Sequence, residues 1–281
     1  MRPLAEAQRD VLAAVGRLPV QPVPLHQSLG LALAAPVVAP HDIPPFANSA
    51  MDGYAVRAAD LAQAPVELEV LEDLPAGHVA ARSVRPGTAI KIMTGAPLPA
   101  GADAVVKVED TQPGDGRVRV LVPVAEGSFL REAGGDVRAG EAVFDAGERL
   151  GPAHLGVLAS LGLAAPQVRR RPRVAILSTG DEVLPADSAE LRPGQIRDSN
   201  RPVLAALLDE LGADVADLGI VADDADSLRS TLERAASEAD AILTSGGVSV
   251  GEYDLVHPVL GAGGRIGFRQ VAMQPGKPFA F

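Results

Sequence analysis

Cysteine is absent from the 281-residue chain, which excludes disulfides, thiolate metal sites, cysteine nucleophiles and iron–sulfur clusters. Tryptophan is absent too, and aromatic residues make up only 3% of the sequence. Cores must therefore be built from Ala, Val, Leu and Ile, which suit layered strands and helices. Basic residues are in the minority: 25 Lys and Arg stand against 36 Asp and Glu, a formal net charge of −11. Such a surface repels nucleic acid and anionic membranes, both of which are bound mainly through Lys and Arg. No apolar run is long enough to span a bilayer. Glu6, Arg9 and Asp10 interrupt any apolar secretory core near the N-terminus. The expectations are a cytoplasmic location, no nucleic-acid partner and no membrane. An acidic protein that holds an anion needs a metal cation or a local basic pocket. The one basic cluster, Arg169-Arg170-Arg171-Pro172-Arg173, reads as a solvated linker.

What is present is an ordinary globular profile, with 47% apolar residues. The length predicts two or three compact units. Leu4, Ala7, Val11, Val15 and Leu18 recur at spacings of three and four, which predicts an amphipathic helix over 4–18. Prolines between Pro19 and Pro24 mark a linker or strap. From about Phe46 to Gly135 the pattern is β, with candidate strands at 66–70, 88–93, 104–108 and 117–124 punctuated by glycine turns. Several short strands without helices between them suggest a small barrel or sandwich. A short helix is expected over 155–163. From Val174 strands and helices alternate: strands at 174–177, 215–220 and 241–244, helices at 202–211 and 227–236, with Gly212 ending the first helix. That alternation predicts a parallel sheet covered on both faces, with ligands at the C-terminal ends of its strands.

Chemistry concentrates at those strand ends. The run Thr244-Ser245-Gly246-Gly247-Val248-Ser249-Val250-Gly251-Glu252-Tyr253-Asp254 follows a buried strand. Its glycines allow close backbone approach, its N–H groups can surround a phosphate, and Ser245 and Ser249 add hydroxyl donors. Asp254 fits a phosphate site only through a divalent cation. Ser178-Thr179-Gly180-Asp181-Glu182 ends the first strand of the same sheet and belongs on the same rim. Asp198-Ser199-Asn200 reads as a helix cap, with Ser199 or Asn200 as the capping residue. Asp223 and Asp224 lie near a strand end without a role that pattern assigns. Lys277 tips a tight turn, Gln274-Pro275-Gly276-Lys277-Pro278, where a fixed positive charge suits an oxyanion. In the β region Asp52 and Thr94 read as turn formers. The five histidines are dispersed without metal-ligand spacing, and no serine-hydrolase elbow is present.

Five motifs in this order carry a resemblance: Ser49-Ala50-Met51-Asp52-Gly53-Tyr54-Ala55, Ile92 to Pro99, Ser178 to Glu182, Ser245 to Asp254, and Pro275 to Pro278. Together they resemble the MoeA family of molybdopterin molybdenumtransferases, which includes the E domain of gephyrin. The resemblance implies a multi-domain α/β plus β fold. A doubly wound three-layer α/β/α molybdopterin-binding domain would occupy 171–281, incomplete, with a helix at 1–18 packed on it. A β-rich domain would occupy 46–136, and an elongated connecting domain 19–45 and 137–170. A C-terminal β domain would be missing, because the sequence stops at Phe281 in what reads as a strand. The implied activity inserts molybdate into adenylylated molybdopterin, with Mg²⁺-dependent release of AMP, in a homodimer. Molybdopterin adenylyltransferase and molybdoenzyme apoproteins or their chaperones are the implied further partners.

Carried over by motif, Asp52, Thr94, Glu182, Asp223 and Asp254 would be catalytic, with Asp254 and Glu182 holding the metal. Ser245, Gly246, Gly247, Ser249, Gly251, Lys277 and Pro278 would bind substrate, Ser249 and Lys277 near molybdate. Asp52 and Thr94 would reach the cleft from the partner subunit, and Asp136 lies in a further family motif. Gln274 departs from the Lys of some relatives and removes one positive charge. Two other readings compete: a non-catalytic molybdopterin-binding scaffold, and a molybdopterin adenylyltransferase. A scaffold has no need of Asp52, Asp254 and Lys277, and the β region belongs to the metal-inserting branch.

Overall fold

The computed structural model describes residues 1–246, 259, 267 and 270–281. The chain divides into a strand-rich unit (Pro24–His26 and Ala35–Pro166) and an α/β unit (Met1–Val23, Gln27–Ala34 and Gln167–Phe281).

Helix α1 (Leu4–Ala14) opens the α/β unit and is a turn shorter than its apolar spacing predicts. The backbone becomes extended at Val15, just before Gly16, and Pro19 follows. Neither Gly nor Pro sustains a helix interior. Ala7 is the helix's buried residue, and Arg2 ahead of it pairs in parallel with Val271.

In the strand-rich unit six strands form one sheet: β1 (Gly53–Val56), β2 (Val66–Leu74), β3 (Thr88–Ile92), β4 (Ala104–Lys107), β5 (Thr111–Pro113) and β6 (Arg117–Val120). Their order is β4-β1-β3-β2-β6-β5, antiparallel throughout except for the parallel pair β2–β3. The edges β4 and β5 do not pair with each other, and two two-stranded sheets accompany the large one, Asn48–Ser49 with Leu130–Arg131 and Val37–Val38 with Ala142–Phe144. Alternation reports which face of a strand is buried, not which strands pair, so the sequence could not specify this arrangement. Both faces are apolar. Tyr54, Val56, Leu68, Val106 and Val118 pack on one side, and Ala55, Ile90, Ile92 and Val105 on the other. Three acidic residues of β2, Glu67, Glu69 and Asp73, stay exposed, with Glu67 and Glu69 opposite Arg119 and Arg117 of β6. Helix α2 (Pro152–Ser160) starts with Pro at its first turn and buries Leu158.

The alternating grammar beyond residue 173 holds in the α/β unit. Strand β7 (Arg173–Thr179), helix α3 (Asn200–Glu210), strand β8 (Asp214–Val221), helix α4 (Ala225–Glu238) and strand β9 (Ala241–Ser245) follow in turn. The strands are parallel in the order β8-β7-β9. Gly212 ends α3 at a φ of +82°, a left-handed conformation in which its N–H reaches the Asp209 carbonyl at 2.8 Å. Successive residues of β7 face opposite ways. Val174 and Ile176 pack with Ala205 and Leu208 of α3, whereas Leu177 packs with Leu228 and Leu232 of α4. The two helices therefore cover opposite faces. Among the described residues no helix is long and apolar enough to cross a membrane.

The basic cluster is not the solvated linker its composition suggests. The Arg170 guanidinium donates to both Asp240 carboxylate oxygens, at 2.7 and 2.6 Å, and the Arg173 N–H reaches the same group at 2.8 Å. Arg169 donates to the Leu18 carbonyl at 2.6 Å. The Arg170 fork and the Arg173 N–H hold the Asp240 carboxyl down at about 2. A carboxylate with a depressed pKa contributes stability that is complete above its unfolded value, near 3.9, and is lost as pH falls through the folded one. Asp240→Asn is therefore expected to lower the urea midpoint at neutral pH and to flatten its decline between about pH 4 and 2. Parallel pH curves for variant and parent would show the fork to be without effect.

Candidate functional site

Parallel sheets of this kind bind ligands where the strand order reverses. Here the chain passes from β7 to β8 on one side and then returns to β9 on the other, so the reversal lies between β7 and β9. Ser178 of β7 is in register with Ser245 of β9. At the ends of these strands Gly246 has a φ of +97°, and a methyl group on it would meet the Thr179 carbonyl oxygen at 2.5 Å. Only glycine permits that closeness. Gly180, at a φ of +135°, is covered by the Glu182 carboxylate, whose oxygen would lie 2.6 Å from an added methyl. Gly180 and Gly246, two of the glycines called for by the sequence, are thus held in conformations that favour glycine.

Carboxylates ring this rim. Asp181 and Asp223 each accept from the other's backbone N–H, at 3.4 Å to Asp223 and 3.2 Å to Asp181. The structure thus brings the β7 and β8 ends together, with Glu182 one residue along. Asp181, placed by the sequence on this rim, clasps the neighbouring strand end. Among the described residues no three His, Asp or Glu side chains converge as a metal cluster. Gly247, Ser249, Gly251 and Asp254 lie outside the described residues.

Ser199 occupies the N-cap position of α3, as its pattern suggests, but its side chain makes no capping hydrogen bond. Asp198, 6% exposed, accepts from the Arg201 N–H at 3.1 Å and from its Nε at 2.9 Å. Arg201 also donates to Asp217 of β8. Burial pushes the Asp198 carboxyl up, but the Arg201 N–H and guanidinium outweigh it and leave it below the usual range. Asn200 is turned toward the rim, its Nδ2 donating to Ser245 Oγ at 3.0 Å. Asp224, left without a role by the sequence, caps α4 by accepting from Ser227 N–H at 2.8 Å.

Lys277 sits on an exposed turn in the same unit. The Gln274–Pro275 bond is cis, Gly276 has a φ of +100°, and the Lys277 carbonyl accepts from Val271 N–H at 3.0 Å. Pro278 bridges to Gln270. Among the described residues no hydrogen bond or ion pair links Lys277 to the β7–β9 rim.

Asp52 and Thr94 lie in the strand-rich unit and meet each other. One Asp52 oxygen accepts both the Thr94 N–H and its hydroxyl, each at 2.7 Å. These two donors, the backbone one first, hold the Asp52 carboxyl below the usual range. Both turns are braced. The Asp52 carbonyl accepts from Val108 N–H at 3.0 Å, the Gly95 N–H reaches the Ser49 carbonyl at 2.8 Å, and Ser49 Oγ donates to the Met51 carbonyl at 2.5 Å. They are turn formers, as their pattern suggests, and also a fixed, ionised and exposed carboxylate. Asp136 is exposed in the same unit, with its N–H on the Ile43 carbonyl at 2.9 Å.

Fold and site together define an α/β unit with hydroxyls, glycines and carboxylates at its strand ends, joined in one chain to a strand-rich unit bearing an anchored carboxylate. Residues 2–162 match the family model described as the MoeA N-terminal region (domain I and II), and residues 175–281 match the one described as a probable molybdopterin binding domain. The chain is 45% identical over 288 residues to molybdopterin molybdenumtransferase 2 of Mycobacterium tuberculosis, covering 99% of this chain and 71% of that protein. It is 43% identical to the molybdopterin molybdenumtransferase of a Nostoc species, covering 91% of this chain and 60% of that one. A crystal structure of the molybdopterin biosynthesis MoeA protein from Pyrococcus horikoshii superposes with a TM-score of 0.86 at 33% identity, over 100% of this chain and 72% of that one. The chain belongs to the MoeA family of molybdopterin molybdenumtransferases, transferases of molybdenum cofactor biosynthesis.

Proposed function

We propose that this protein inserts molybdate into adenylylated molybdopterin, with Mg²⁺-assisted release of AMP, and that it works in the cytoplasm as a homodimer. The observation that carries the reading is the Asp52–Thr94 pair, a carboxylate kept ionised and oriented by two donors on one oxygen. Among the described residues its other oxygen has no hydrogen-bond partner, so it is available to orient or deprotonate a water or hydroxyl at a reacting anhydride. The α/β unit would be the doubly wound, three-layer molybdopterin-binding domain, and the strand-rich unit would supply the separate β-rich domain and part of an elongated connecting one. Molybdopterin adenylyltransferase upstream and molybdoenzyme apoproteins or their chaperones downstream are the partners this reading names.

At the rim, Ser245 and the backbone at Gly246 would bind phosphoryl oxygens, with Gly247, Ser249 and Gly251 continuing that loop. Glu182 and Asp254, with Asp223 beside them, would hold Mg²⁺, which neutralises the phosphoanhydride. The described donors fit such an ion. They are all oxygens and form no closed cage, and Mg²⁺ is commonly held by one or two carboxylates together with substrate phosphates. Lys277 and the Pro275–Pro278 turn would fix molybdate, and Asp52 and Thr94 would serve a substrate bound by the partner subunit.

The deciding assay measures AMP released from adenylylated molybdopterin with Mg²⁺, with and without molybdate. Molybdate-dependent release supports the proposal. Tight pterin binding without release would favour the scaffold alternative, and formation of adenylylated molybdopterin from ATP would favour the adenylyltransferase. Lys277→Ala is expected to weaken molybdate binding about tenfold, the scale of one charge-assisted hydrogen bond, and to leave pterin binding unchanged. Calorimetric titration with each ligand separates the two, and an equal loss of both would remove Lys277 from the molybdate site.

A further inference from the structure

Asn200 has no place in the proposed chemistry, yet its side chain is committed to a rim residue. Its Nδ2 donates to Ser245 Oγ at 3.0 Å across the gap between the start of α3 and the end of β9. An amide N–H can only donate, so the Ser245 oxygen is fixed as acceptor in this contact. The hydroxyl proton must then point away from Asn200. It is left for a further acceptor, such as an anionic oxygen.

Asn200 is itself held in place. Asp198 and Arg201 flank it, joined by two hydrogen bonds, and Arg201 reaches on to Asp217 of β8. The Asp198 carboxylate is almost wholly buried and the Arg201 side chain is 17% exposed. Burying such a charge pair seldom improves stability over an apolar replacement. It does fix the two residues between them on a short tether. We propose that Asn200 is a positioning residue, which turns the Ser245 hydroxyl proton away from itself and toward a phosphoryl oxygen, with the Asp198–Arg201–Asp217 chain as its anchor. This rests on the reading of Ser245 as a phosphate-binding residue, and adds how that serine is oriented.

Pyrophosphate is the probe, titrated calorimetrically in the presence of Mg²⁺ into the parent chain, Asn200→Ala, Asn200→Asp, Ser245→Ala and the double variant Asn200→Ala/Ser245→Ala. Asn200→Ala is expected to weaken pyrophosphate about tenfold, the scale of one redirected hydrogen bond. Asn200→Asp should weaken it further, because a carboxylate would accept the serine proton and repel the anion. The decisive comparison is the double variant. If Asn200 acts through Ser245, removing it from the Ser245→Ala protein changes nothing further. Unfolding midpoints establish that each variant is folded. Additive losses would overturn the proposal, as would pyrophosphate binding that ignores Asn200 or a parent chain that binds none. Coupled losses in a chain that releases no AMP with molybdate would leave this inference standing and remove the proposed activity instead.

Discussion

Replacing Gly53 by alanine is expected to destabilise the strand-rich unit by more than about 3 kcal/mol, the upper range for overpacking a closely fitted interior. Gly53 pairs with Lys107 at one end of the β1–β4 ladder, and an added methyl would overlap the Val106 carbonyl oxygen. Backbone cannot rotate away as a long side chain can. The strands would have to part, and Tyr54, Val56 and Val106, all buried in one cluster, would lose their packing with them. A second glycine of the same unit gives the opposite result. Gly156 lies exposed within α2, and nothing stands within 4 Å of the position a methyl would take. Gly156→Ala should stabilise by about 0.5 to 1 kcal/mol through helix propensity alone. Urea unfolding of the two variants beside the parent tests both signs. A Gly53→Ala protein of parental stability would mean the two strands approach less closely than described.

The second large effect is on activity. Asp52→Asn keeps the shape of the side chain and removes its charge, and molybdate-dependent AMP release should fall by about 10² to 10⁴, the range for a positioned acid–base group. Pterin binding should persist, because the rim assigned to it is in the α/β unit. Thr94→Val should cost less, since the backbone N–H at 94 still reaches the carboxylate. It should also move the pH profile in a defined direction. Thr94 holds the Asp52 carboxyl low, so losing the hydroxyl raises that pKa. In the proposed role Asp52 works ionised, so activity should disappear as pH falls through its pKa, and the acid limb is expected to shift to higher pH. An unshifted acid limb, with the rate reduced, would show that Thr94 contributes something other than the charge state of Asp52.

Much of the fold was legible because periodicity reports burial directly. The alternation in Val66 to Val70, the short apolar strands at 174 and 241, and the glycine stop after α3 all led to elements at those places. Pairing was less legible. Nothing local announces that β2 and β3 run parallel, because that depends on how the segment between them crosses the sheet. The site divides along the same line. Glycines at 180 and 246 were readable as backbone requirements, since glycine has few other reasons to recur at strand ends. Contacts between distant residues were not. Asp52 meets Thr94, Asn200 meets Ser245, and Asp240 meets Arg170 only once the chain has folded. The cap position at Ser199 was legible, but Asp, Ser and Asn are all competent acceptors, and only the folded chain shows that Asp198 takes the Arg201 N–H. The arginine cluster looked solvated because its partners lie elsewhere in the sequence.

The position of β7 in its sheet also bears on how the chain must be made. Both of its neighbours, β8 and β9, are encoded after it. During synthesis this strand, with Ile176 and Leu177 fully buried in the finished protein, emerges from the ribosome with two open edges and no sheet partner. Strand β1 of the strand-rich unit waits in the same way, but over a shorter stretch, since its neighbours β3 and β4 are both complete by residue 107. Unpaired apolar strands are where nascent chains associate with one another. The interval between translating residue 179 and residue 245 is therefore one in which the open edges of β7 are free to pair with another chain.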